Sequence, residues 1–244
     1  MPCQGRRILR LKVAHARQIA AASGVLPFVL LLIAALALGG NQPGPIDSVE
    51  SVRTYITNHW FAIHVHHTSL GLAYLSALWF ATFLWSILRQ AEGDIGLFSA
   101  LALIGAAVAV TVEFAVLALH SATFVEMANT VALRGFATAS FRELVILELF
   151  PWATFFAAVA AVALTRGALP VWLGWSSAAM AVIELAGGIY SGLAGVNAGT
   201  TSGPFGPALA LVYLPTLWLA AASVVLFRRE LVGRAIVRSA HGGD

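Results

Sequence analysis

Apolar residues run along this chain in long unbroken stretches, with short polar intervals between them and no strict alternation. A membrane-spanning helix takes about 20 mostly apolar residues. Six stretches qualify, roughly 19–39, 61–88, 96–124, 143–165, 171–195 and 207–227. Strands of a membrane barrel alternate lipid-facing and lumen-facing residues, so continuous runs argue against a barrel. In lipid, helix then remains as the way to pair every backbone N–H and C=O within one segment. The pattern predicts an all-α polytopic membrane protein of six transmembrane helices. It divides the chain into a basic segment 1–18, a six-helix domain 19–227 and a basic tail 228–244, with no separate soluble domain.

Composition agrees. Of 244 residues, 59% are hydrophobic and 10% charged, against about a quarter charged in soluble domains. The net charge of +3 comes from basic residues gathered at the chain ends, where topology accounts for them, so the balance implies no nucleic-acid partner. Arg6, Arg7, Arg10, Lys12, Arg17, Arg89, Arg166, Arg228, Arg229, Arg234 and Arg238 fall on one side of the predicted spans. Arg53, Arg134 and Arg142 fall on the other. Basic residues accumulate on the cytoplasmic side, so both termini are expected there, as an even number of spans requires. Arginine outnumbers lysine thirteen to one, a bias of GC-rich coding that points to a bacterial cytoplasmic (inner) membrane. Cys3 is the sole cysteine, which excludes an internal disulfide and a thiolate metal site.

Smaller signals refine the layout. Basic residues, an apolar stretch and Ala35-Leu36-Ala37 resemble a signal peptide, but the stretch is long for one and is expected to stay as the first span. After Gly44-Pro45, Asp47 and Glu50 form a capping pair. Val49, Val52 and Ile56 then recur at helical spacing opposite Glu50 and Arg53, as in a short amphipathic helix on the outer interface. The loop Asn197–Pro207 is rich in Gly, Thr and Ser. Gly188, Ser191, Gly192 and Gly195 give the fifth span a small-residue face for close helix approach. Pro151 and Pro215 should kink spans four and six, and Trp60, Trp152, Trp172 and Trp175 sit where aromatic belts form.

Ionisable side chains inside the hydrocarbon are the candidate chemistry, since each costs about 2.5–3.5 kcal/mol on insertion scales. They are His64, His66 and His67 in span two, Glu113 and His120 in span three, Glu148 in span four and Glu184 in span five. Counting about 1.5 Å of rise per residue, Glu113 and Glu184 lie about 16 Å below the outer edge, Glu148 about 8 Å and His120 about 6 Å. His64 and His67 lie about 5 and 9 Å down. All sit in the outer half of the bilayer, and no Lys or Arg lies deep in a span to pair with them. Glu148 is near enough to the edge to reach water, and His66 is turned away from the face His64 and His67 share, toward the interface. Glu113 and His120, seven residues apart, line one stripe.

This set suits several chemistries. Imidazole and carboxylate together suit zinc, iron or copper, with His64, His67, Glu113, His120, Glu148 and Glu184 as the candidate ligands. His67 and His120, at similar depth on neighbouring helices, are the candidate axial pair for haem b. Buried glutamates can instead carry a proton or bind a cation. There is no HExxH motif, no Glu-x-x-His pair, no Gly-rich phosphate loop and no Ser-His-Asp set.

Two stretches carry a resemblance, Arg166-Gly-Ala-Leu-Pro-Val-Trp-Leu-Gly-Trp175 and Phe83-Leu-Trp-Ser-Ile-Leu-Arg-Gln-Ala-Glu-Gly93. The chain resembles uncharacterised multi-span bacterial membrane proteins of actinobacterial type, a family of unknown function. The likeness follows the layout over 45–230 and implies the multi-span fold; the family has no assigned activity and supplies no site residues. Three classes of function stay open: a non-enzymatic accessory subunit of a membrane complex or small-molecule or ion binder, a metal- or haem-dependent oxidoreductase, and a proton-coupled transporter using Glu113 and Glu184. The expected partners are the lipid bilayer and other membrane subunits.

Overall fold

A computed structural model describes residues 15–38, 49–93, 95–125, 143–195 and 205–241, and not the side chains of 38, 49, 52, 120, 122–125, 194, 195, 205–210, 212 and 232–241. The described residues are all-helical. Helix α1 covers 15–22 and continues through one 3-10 turn, Ser23–Val25, into α2, Leu26–Leu38. Then come α3 (Val49–Glu92), α4 (Leu97–Val125), α5 (143–147), α6 (Leu149–Arg166), α7 (Val171–Gly195) and α8 (Phe205–His241). Five helical stretches among the described residues are long and apolar enough to cross a membrane: His15–Ala37, Arg53–Glu92, Leu97–Leu119, Glu143–Arg166 and Val171–Leu193. The sixth predicted stretch, 207–227, falls inside α8.

The helices close into a ring. Each of α2, α3, α4, α6 and α7 packs against the next in that order, α7 packs on α8, and α8 returns to α2 and its 3-10 turn. The core between them is built from Phe80, Leu84, Leu88, Ala106, Ala109, Phe155, Phe156, Leu173 and Leu219. The outer faces of the same helices expose Leu36, Trp79, Ile104 and Val182, an apolar surface suited to lipid.

Proline chemistry sets two interruptions. Pro27 has no N–H for the carbonyl four residues back, so that carbonyl, of Ser23, accepts from Leu26 N–H instead and tightens the chain into a 3-10 turn. Ser223 of α8 donates to the Ala21 carbonyl at the same place, which ties α8 to the first span. Pro151 likewise cannot donate to Leu147, which leaves one helix bond unmade beside Glu148, although the backbone there stays helical with φ −66° and ψ −21°. Pro215 is carried within α8, which is assigned as one helix.

The amphipathic segment near 49–58 is helical, but it is the first part of α3 rather than a separate element; the joint is at His59, whose φ of −122° and ψ of 16° leave the helical range. Asp47 lies outside the described residues.

One end of the bundle is basic. Arg17 of α1 pairs with Glu230 of α8 at 3.0 Å, and Arg229 donates to the Ala168 carbonyl in the α6–α7 turn at 3.2 Å. The α3–α4 turn meets the last turn of α6 around a cleft of about 490 Å³ lined by residues including Glu92, Phe98 and Arg166. Glu92 holds the turn: its two carboxylate oxygens accept from the backbone N–H groups of Phe98 and Ser99, both at 2.8 Å. These are free donors of the α4 N-terminus, where negative charge is also favoured by the helix dipole.

Candidate functional site

Three glutamates meet inside the ring. Glu148 and Glu184 are 0% exposed and Glu113 is 5% exposed. Glu113 comes from α4, Glu148 from the α5–α6 break and Glu184 from the middle of α7. Glu148 is central, close enough to act electrostatically on both Glu113 and Glu184. On its far side Glu113 is hydrogen-bonded with the Tyr74 hydroxyl of α3. Tyr213 of α8 also acts on Tyr74 and Glu113. Five elements therefore contribute to one polar line, Tyr213 and Tyr74, then Glu113, Glu148 and Glu184.

Local structure explains how Glu148 reaches the centre. Glu148 keeps a helical backbone, φ −66° and ψ −21°, across the bond that Pro151 leaves out, with its N–H bonded to the Leu144 carbonyl at 3.0 Å and its own carbonyl accepting from Trp152 N–H at 3.3 Å. Helix α4 comes very close there: a methyl group at Gly105 would lie 2.8 Å from the Phe155 nitrogen and 2.9 Å from the Pro151 carbonyl oxygen. On the other side Gly188 of α7 leaves room for the Phe150 ring, which a methyl group there would approach to 3.1 Å. Small residues thus let α4 and α7 close on this stretch from both sides.

The line ends in aromatic packing toward the basic end. Trp152 meets Phe155 and Phe156 with ring centroids 5.5 and 6.1 Å apart. Trp218 of α8 closes on the same pair at 6.0 and 5.3 Å, and its indole N–H bonds to Ser176 of α7 at 3.1 Å. This apolar layer separates the carboxyls from the arginines of the basic end.

Inside this setting the polar atoms are under-satisfied. Among the described residues, both carboxyl oxygens of Glu148, both of Glu184 and the indole nitrogen of Trp152 are buried without a protein hydrogen-bond partner of good geometry; the Glu148 and Glu113 carboxyls stand within reach of each other. Among the described residues no Lys, Arg or His acts on the three glutamates. A buried polar atom left unpaired costs about 1–3 kcal/mol, and more when charged. Such groups in a folded protein call for an explanation, commonly a water or an ion.

Three expectations change. Glu148 does not reach the edge: it is fully buried and the hub of the cluster, because α4 and α7 close over its helix from both sides. Trp152 is no belt residue, being 4% exposed, whereas Trp60, Trp172 and Trp175 are exposed on the outside of the bundle. His66 is not turned away to an interface but bonds to the Ala34 carbonyl of α2 at 2.9 Å, pinning α3 to the first span.

The histidines form a separate group on α3. His64 is exposed, with Nδ1 on the Trp60 carbonyl of its own helix at 2.7 Å; His67 is half-buried, its ring 5.4 Å from that of His66. The His120 side chain lies outside the described residues, and with it the proposed His67–His120 pair. Among the described residues, no three His, Cys, Asp or Glu side chains are grouped to hold a metal ion. Tyr74 and Tyr213 were legible only as polar atoms at span depth, with no motif to mark them.

No family model, no curated protein and no solved structure matches this chain.

Proposed function

We propose that this chain is a non-enzymatic integral membrane protein that binds a small ion or molecule at the Glu113–Glu148–Glu184 cluster, with its basic end in the cytoplasm. One observation carries the reading: among the described residues, four carboxyl oxygens of Glu148 and Glu184 are buried in an apolar bundle without a hydrogen-bond partner of good geometry and without a neighbouring cation. A carboxylate in such surroundings needs a counter-charge, and one that the chain does not supply has to come from a ligand. A second reading, a proton-coupled transporter, is favoured by the arrangement of the three carboxyls, with Glu148 acting on Glu113 at one side and Glu184 at the other.

The test is ligand-dependent stability of the purified full chain in detergent. A ligand that binds only the folded protein stabilises it by about 2.7 kcal/mol at a hundred times its Kd. The unfolding midpoint of the wild-type protein is expected to move with pH or with one of a panel of cations, sodium, potassium, zinc and tetramethylammonium. The triple Glu113→Gln, Glu148→Gln, Glu184→Gln variant should lose that response. A midpoint indifferent to pH and to every cation, or a response kept in full by the triple variant, would overturn the reading.

A further inference from the structure

We propose that the ligand of this cluster is the proton, passed from Glu184 through Glu148 to Glu113 by way of water held against the Trp152 indole N–H. The inference rests on the reading of the cluster as a binding site and names what it binds.

The kinds of atom left unpaired separate the candidate ligands. Glu148 and Glu184 offer acceptors, whereas Trp152 offers a donor, its indole N–H. A bare metal ion or an ammonium group would satisfy the carboxylates and leave the indole N–H unmet. Water accepts from the indole and donates to carboxyl oxygens, so it serves both kinds of atom. Trp152 stands one helical turn beyond Glu148, with their backbones bonded N–H to carbonyl, so the two side chains share a face of α6.

The surroundings also favour the proton as the charge that moves. The titratable groups around Glu148 are Glu113 from α4, Glu184 from α7 and Tyr74 from α3, with Tyr213 of α8 acting on Tyr74 and Glu113. All of them exchange protons, and among the described residues none of them is a cation. Among the described residues no three ligating side chains are grouped for a metal ion. Glu113, Glu148 and Glu184 stand in series, and the Tyr74 hydroxyl, bonded with Glu113, closes one end.

The transfer balances without an oxidant or reductant. The Glu184 carboxyl gives its proton to the water, and the water gives one of its own to an oxygen of Glu148. Glu148 releases the proton from its other oxygen to the Glu113 carboxylate. Each O–H bond broken is matched by one formed, and the net change is a proton moved from Glu184 to Glu113.

The experiment is infrared difference spectroscopy of the full chain in lipid nanodiscs, stepped from acid to alkaline pH in H2O and D2O. Protonated-carboxyl bands should respond to pH and shift in D2O. Glu113→Gln should displace the Glu184 band in the wild-type background and leave it in place when Glu148→Gln is also present. Trp152→Phe keeps the ring, removes the donor, and should shift the Glu148 band while the unfolding midpoint is retained. Should Glu148→Gln fail to fold, Trp152→Phe carries the test by itself.

Coupling between Glu113 and Glu184 that survives Glu148→Gln would overturn the relay, and unchanged bands in Trp152→Phe would overturn the water. Bands that ignore pH but shift when sodium, zinc or tetramethylammonium is added at constant pH would replace the proton with that cation and leave the binding reading intact. Bands and unfolding midpoint unmoved by pH and by all of these cations would end the binding reading as well.

Discussion

At the scale of single residues, the fold depends on side chains that are missing as much as on those present. Gly105 faces backbone rather than a flexible side chain, so Gly105→Ala cannot be absorbed by a rotamer change. Overpacking of this kind costs about 1–3 kcal/mol, and here it would also push the Pro151 segment and Glu148 with it. Reversible unfolding in mixed micelles should show a loss in that range; a neutral result would mean that α4 and α6 slide apart at little cost. Ser223 makes the complementary case. Its hydroxyl is buried and donates to the Ala21 carbonyl beside the 3-10 turn, so Ser223→Ala strands an acceptor and should cost about 1–3 kcal/mol. Ser223→Thr, which keeps the hydroxyl, is expected to retain more of the stability than Ser223→Ala, and the same measurement compares them.

Elements are shaped by how each helix begins and breaks. The α3–α4 turn is closed by a carboxylate six and seven residues upstream of the amides it caps. Loss of an N-cap costs about 0.5–2 kcal/mol, so Glu92→Ala should lower unfolding stability by about that much and raise hydrogen exchange at Phe98 and Ser99 before it does so elsewhere. Uniform exchange across α4 would count against the cap. The bond missing at Pro151 has a different consequence. Pro151→Ala restores a donor for the Leu147 carbonyl in a stretch whose backbone is already helical at Glu148, φ −66° and ψ −21°. The expected outcome is helix content equal to or above the wild type, with the response of the unfolding midpoint to pH or cations retained. A lost response would show that the proline, and not the packing of α4 and α7, holds Glu148 in place.

For the whole molecule, orientation is the claim on which the depth of the cluster depends. The residues that geometry collects at one end, Arg17, Arg166 and Arg229, are among those that the charge rule assigns to the cytoplasm. Reporter fusions after Arg89, Arg166 and Arg238 should therefore report cytoplasm, and fusions near Gly44 and Ala139 the outside. An external signal after Arg166 would invert the protein and place the carboxyl cluster in the inner half of the bilayer. The aromatic layer of Trp152, Phe155, Phe156 and Trp218 bears on the same scale, since it makes the cluster open, if anywhere, away from the basic end.

The division between sequence and tertiary structure follows from what each residue answers to. Lipid imposes its demand on every residue of a span in turn, so the apolar runs and the helical class were legible one segment at a time. Glu113 and Glu184 were legible for the same reason, as charges at a depth that tolerates none without a partner. Which residue joins them was not. Depth counted from assumed loop ends put Glu148 near water, and the close approach of α4 at Gly105 and of α7 at Gly188 instead buried it between the other two. His66 on the Ala34 carbonyl, Tyr74 on Glu113 and the unpaired Trp152 N–H share that character: periodicity assigns a face to a helix, but the neighbour across that face depends on how the helices dock. The chain's own pattern determined that it makes apolar helices carrying isolated carboxyls. Only the packing of the ring brought those carboxyls together, because the distance between side chains on different helices is a property of the packed bundle and of no single segment.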